Sequence, residues 1–203
     1  MDRKLPPLDP PGDSGGPVSE ETAIRATRHW VETIVIGLDL CPFARSALQR
    51  DRVEFEVIDT ISVRDALQQF ADAASVLAAA EQADSTVLLI LPDGFVDFDD
   101  YLDLLGLAEA LLDDLGYAGS LQIASFHPDY RFAETPTDDA ANWTNRAPYP
   151  VLQLLREDSV TRAVDNHADP EGIPARNIER LRSLGTEGLH RLLAPRAEDT
   201  IVH

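Results

Sequence analysis

Cysteine occurs once in the 203 residues, at Cys41. No internal disulfide can form, which sets the chain apart from small secreted domains stapled by bridges. Lysine also occurs once, at Lys4, so the basic side chains are almost all arginines. Basic residues are scarce overall: 17 stand against 36 acids, for a formal charge of −19. A field of that sign repels phosphate backbones and anionic bilayers, so neither nucleic acid nor a membrane surface is an expected partner. Long apolar runs are missing too, and none approaches the roughly 20 residues that span a bilayer. The first 20 residues are polar and proline-rich, without the apolar core of a secretory leader. These absences lead us to expect a soluble, cytoplasmic protein.

Several motifs are missing as well. There is no G-x-x-x-x-G-K and no G-x-G-x-x-G, so no nucleotide cofactor is implied. The G-x-S-x-G spacing at Gly12 to Gly16 falls in the polar, proline-rich start and not at a strand-to-helix turn, so no nucleophile elbow is read and a serine hydrolase is disfavoured. Neither H-x-x-x-H, C-x-x-C nor a D-x-D-x-D-G loop occurs, so the expected metal set is empty.

The acid that is present is unevenly placed. Residues 53–124 carry 15 acids and a single base, Arg64, whereas 1–52 and 125–156 each come to −1. The central excess therefore reads as the wet faces of elements that cover a sheet. The near-neutral stretches hold most of the residues that could do chemistry.

Residues 1–19 hold five prolines and three glycines and are expected to be a disordered tail. From about 20 to 194 the pattern is that of a single α/β domain, with 195–203 as a frayed end. Ile24, Thr27, Val31, Ile34, Val35 and Leu38 recur at helical spacing, with Gly37 near the end of the run where a helix would stop. Val53, Phe55 and Val57 alternate with acids, as in a strand with one wet face. Ser62 can cap a helix to about Ala83, and Thr86 to Leu91 is a buried strand closed by Pro92-Asp93-Gly94. Asp97 caps the clearest helix, and Leu121 to Phe126 is the next strand. That alternation predicts right-handed crossovers and a mostly parallel sheet with covering helices. Val151 to Leu155 can add a strand. Asp158 or Ser159 can cap a short helix, and Pro174 opens another that Gly185 ends.

In open α/β sheets, ligands bind beyond the carboxyl ends of the strands. There the sequence places His127-Pro128-Asp129-Tyr130-Arg131, followed by a loop of about 20 residues. In extended chain His127 and Asp129 face the same way, either as a base with its orienting carboxylate or as a strand-end histidine beside a turn aspartate. Cys41 before Pro42 fits the N-cap of a short helix, where the dipole and Arg45 would favour a thiolate. A free cysteine is equally at home as a small buried hydrophobe.

The blocks Trp30-Val31-Glu32 to Leu40-Cys41-Pro42-Phe43-Ala44, Ala124 to Ala133, Asn142 to Pro150 and Leu154 to Glu157 occur in that order. Together they resemble domain-of-unknown-function family 1415 over about residues 22–185. The resemblance implies no particular activity. Carried over position by position, its motifs pick out Cys41, His127, Asp129, Tyr130, Asn142, Asn145, Arg146, Tyr149 and Arg156. Trp143 stands where the family usually has tyrosine and Ala147 where it has serine, so neither hydroxyl is essential here.

Three readings follow. The first is a small-molecule enzyme with Cys41 as nucleophile or redox thiol, His127 as base and Asp129 orienting it. Tyr130, Arg131, Asn142, Asn145, Arg146, Tyr149 and Arg156 would then bind a carboxylate or phosphate substrate. The second is a non-catalytic or regulatory protein that grips a small anion with the same loop. The third is a thiol protein of the glutaredoxin or glutathione-transferase kind, suggested by Cys41-Pro42-Phe43-Ala44. It has against it a helix at 22–36, where that fold begins with a strand, and Ala44 in place of a second cysteine.

Overall fold

The computed structural model describes residues 16–82 and 84–194. The expectations for residues 1–15 and for the end from 195 lie outside the described residues. Helix α1 spans Glu20–Trp30, and Ser19 accepts a hydrogen bond from the Thr22 amide at its start. The helix continues as a π-helical stretch, Val31–Ile36, up to Gly37. Then come α2 (Ala44–Gln49), β1 (Val53–Val57), α3 (Val63–Ala79), β2 (Thr86–Ile90), α4 (Phe98–Asp114) and β3 (Leu121–Phe126). A 3-10 turn at Ala140–Thr144 precedes β4 (Val151–Arg156), α5 (Glu157–Asp165) and α6 (Ile173–Leu193).

Local chemistry explains most of the boundaries. Ser62 accepts from the Asp65 amide, and Asp97 accepts from the amides of Asp99 and Asp100, so α3 and α4 begin where oxygens can cap free amides. Helix α5 differs from expectation. It starts at Glu157 directly after β4, with no side-chain cap from Asp158 or Ser159. Gly185 breaks α6 at φ 65°, ψ 165°, after which the helix resumes. That left-handed backbone is cheap for glycine and strained for other residues.

The sheet corrects the sequence expectation. Its order is β1-β2-β4-β3, with β1 parallel to β2 but β4 antiparallel to both β2 and β3. Two of its three pairings are thus antiparallel, and the sheet is mixed rather than mostly parallel. Strands β1, β2 and β3 do all run the same way, as alternating strands and helices require. The long loop after β3, however, lets β4 come back between β2 and β3. Its Leu152 and Leu154 alternate with Val151 and fill both faces of the gap, which gives the pairing its driving force.

Helices cover both faces. Val87, Leu89, Leu152 and Leu154 pack against Phe70 and Ala74 of α3 and Tyr101, Leu104 and Ala108 of α4. Leu88, Ile90, Val151, Phe55 and Phe126 pack on the other face against Trp30, Ile34, Leu181 and Leu189. Glu54 and Glu56 of β1 are exposed, as the one-sided alternation requires. No helix among the described residues is long and apolar enough to cross a membrane.

Candidate functional site

Strands β1, β2 and β3 finish at one end of the sheet, and most of the residues singled out above gather there. His127 follows β3 directly and is fully buried. Its ring packs against Phe98 and Tyr101 of α4, with centroids 5.1 Å from each. Nε2 lies 3.1 Å from the Phe95 carbonyl, and Nδ1 lies 3.0 Å from the Asp129 backbone amide. A carbonyl only accepts and an amide only donates, so the ring is a neutral tautomer that carries its proton on Nε2. Burial lowers its pKa, while the Phe95 carbonyl and the charges of Asp129 and Asp97 pull the other way. Both nitrogens are occupied, and neither faces solvent with a free lone pair.

Asp129 orients His127 through its backbone N–H rather than through its carboxylate, and its own side chain is exposed. Tyr130 stacks edge-on to Phe98 and Phe132, and its carbonyl accepts from Arg146 Nε at 3.2 Å. Arg146 also donates to the Thr137 carbonyl at 2.8 Å. Asn142 is fully buried: it accepts from the Phe132 amide and donates to the Pro136 and Thr137 carbonyls. Asn145 donates to the Ser125 carbonyl at 3.0 Å, and its own carbonyl accepts from the His127 amide. These amides and Arg146 therefore act as the loop's internal cross-links.

Arg131 is placed differently. Its side chain is 51% exposed, lies over the Phe98 ring, and meets Asp99 Oδ1 through Nη2 at 3.3 Å. Arg156, in contrast, ends β4 at the starting end of β1–β3, since it pairs with Leu121. It donates to the Leu77 and Ala80 carbonyls that close α3.

Cys41 lies outside this hydrogen-bonded group. It precedes α2, which feeds the beginning of β1, and its neighbour Leu40 accepts from Asn177 of α6. Phe43, not Cys41, stands at the start of α2, so the expected N-cap geometry is not formed. Burial raises the thiol's pKa and the charge of Asp39 adds to the rise, while the amides of Phe43 and Ala44 oppose it. Arg45 instead donates to the Ile36 carbonyl. Among the described residues, no hydrogen bond, ion pair or ring contact joins Cys41 to His127.

Sequence reasoning passed over several participants. Tyr101, buried on α4, donates to the Val151 carbonyl at 2.8 Å and accepts from the Phe126 amide at 3.1 Å. It thereby ties β3 and β4 together beside His127. Asp139 caps the 3-10 turn and pairs with Arg182 of α6, which holds its carboxyl down at about 2. The turn after β2 supplies Asp93 and Phe95. The Pro92-Asp93-Gly94 triplet marks its position in the sequence, but as a turn signal it says nothing of what the turn touches. Among the described residues, no three of His, Cys, Asp and Glu converge as metal ligands would.

The fold is a four-stranded mixed sheet between two helical layers, with a cross-linked loop at one end. The family described as protein of unknown function, DUF1415, matches residues 22–191, and the chain belongs to it. A search of curated proteins finds no match, and a search of solved structures likewise finds none.

Proposed function

We propose that this chain is a non-catalytic binding protein for a small anionic molecule, a carboxylate or phosphate, held at the end of the sheet where β1–β3 finish. The observation that carries this reading is the state of Arg131. Its guanidinium is half exposed, is steadied by the Phe98 ring, and spends one nitrogen on Asp99, so further donors can form a fork for an anion. Asn142, Asn145 and Arg146 support it indirectly by fixing the loop that carries Arg131. The reading is favoured over a nucleophile–base pair because His127 has both nitrogens engaged by backbone groups and neither bond is to Cys41.

Calorimetric titration with inorganic phosphate and with citrate tests the proposal. Saturable binding is expected, weakened at least about 10-fold by Arg131→Ala, as loss of one charge-assisted contact implies. Cys41→Ser should leave it unchanged. Absence of binding to either anion, or binding indifferent to Arg131→Ala, would overturn the reading.

A further inference from the structure

The turn after β2 is held in a costly shape from three sides. Asp93 Oδ1 accepts from the Val18 amide at 3.2 Å, just ahead of α1. Gly94 lies so close to the next loop that a Cβ there would stand 2.5 Å from the Thr60 carbonyl. The Phe95 carbonyl is held by His127 Nε2. Phe95 itself has φ 58°, a left-handed backbone that bulky residues rarely adopt. Strain of this kind persists only where the surroundings over-determine it, and it concentrates at functional positions.

What the turn presents is the second oxygen of Asp93. Oδ2 is shielded from solvent and has no hydrogen-bond partner. The same is true of the hydroxyl of Tyr149, which stands two residues before β4 and is 2% exposed. The two groups lie on neighbouring segments: beyond the Ile90–Val151 pair the β2–β4 ladder goes on with the Leu91 amide donating to the Pro150 carbonyl at 2.9 Å, which brings the chain at Asp93 beside that at Tyr149. The Asp93 charge acts on the Tyr149 hydroxyl and raises its pKa beyond what burial does, with Arg25 opposing. Trp30 Nε1, another buried donor without a partner, belongs to the same core cluster as Tyr149.

We propose that Asp93 Oδ2 and the Tyr149 hydroxyl together hold one hydroxyl-type oxygen, which donates to the carboxylate and accepts from the phenol. Other chemistries match less well. A carboxylate or phosphate oxygen without a proton cannot donate to Asp93, and an ammonium group cannot accept the phenol's proton. A hydroxyl does both, whether it belongs to an ordered water or to the alcohol group of a small ligand. In this arrangement His127 is a positioning residue, because it sets Asp93 through the Phe95 carbonyl. The site does not involve Arg131, so it stands or falls separately from the anion reading.

A crystal structure of the full chain, purified and frozen without polyols, tests this directly. The expected result is density within hydrogen-bonding distance of both Asp93 Oδ2 and Tyr149 Oη. A feature the size of one oxygen identifies water, and a larger one identifies a ligand's alcohol. A direct Tyr149–Asp93 hydrogen bond with nothing between, or density that touches neither atom, overturns the proposal. Thermal melts of Asp93→Asn, Tyr149→Phe and the double variant provide a second reading that does not depend on crystals. The double variant should lose no more in Tm than the worse single one, whereas fully additive losses would show that the two groups share nothing.

Discussion

At His127 one ring nitrogen donates and the other accepts, and protonation would turn the acceptor into a donor aimed at the Asp129 amide. Burial lowers the folded ring's pKa below its ordinary value of 6.5. The unfolded chain therefore takes up the proton first as the pH falls. The stabilisation is fully present above about 6.5 and is lost as the pH drops through that value toward the folded pKa. We expect unfolding free energy to decline between pH 7 and 5, with a slope approaching about 1.4 kcal/mol per pH unit at most. Urea titrations across that range check the prediction. Replacement by glutamine, which does not titrate, should flatten the dependence, and an unchanged slope would assign it to other groups. Little of this was legible beforehand. The sequence placed His127 at a strand end, but whether its partner was the Asp129 carboxylate or amide depends on the path of the Pro128 turn.

The loop between β3 and β4 is the element on which the site depends, and Asn142 is its central cross-link. Replacing Asn142 with alanine removes three hydrogen bonds and leaves a buried amide and two carbonyls in need of partners. A loss of about 2–4 kcal/mol is expected, read from chemical denaturation, with faster proteolysis within residues 127–150. Aspartate should not rescue the variant, because a carboxylate cannot donate to the Pro136 and Thr137 carbonyls. Capping was legible at this scale, since Ser62 and Asp97 act on amides two or three residues away. Cys41 was misplaced for the opposite reason. Pro42 suggested the first turn of a helix, but the chain makes a separate turn before α2 begins at Ala44.

Across the whole molecule the charge of −19 is concentrated in residues 53–124, which form β1, α3, β2, α4 and the start of β3. Glu54 and Glu56 share the wet face of β1, and burial together with the neighbouring Glu54 raises the pKa of Glu56. Like charges at this density repel one another, while the surface ion pairs that salt would weaken contribute little. Thermal melts should therefore show Tm rising as NaCl increases from low concentration to about 0.5 M, where the screening length is well under 10 Å. A fall would mean that pairs such as Arg182 with Asp139 outweigh the repulsion.

The sequence by itself determined where strands and helices lie, which faces are wet, and which segment follows β3 into a long polar loop. These features follow from periodicity, capping and composition, and each acts over a few residues. Only the tertiary structure decided that β4 runs back between β2 and β3, that both ring nitrogens of His127 are taken by backbone groups, and that the segments of Asp93 and Tyr149 lie side by side. Strand order and the meeting of side chains distant in sequence depend on how whole apolar faces pack together, and no local pattern records that.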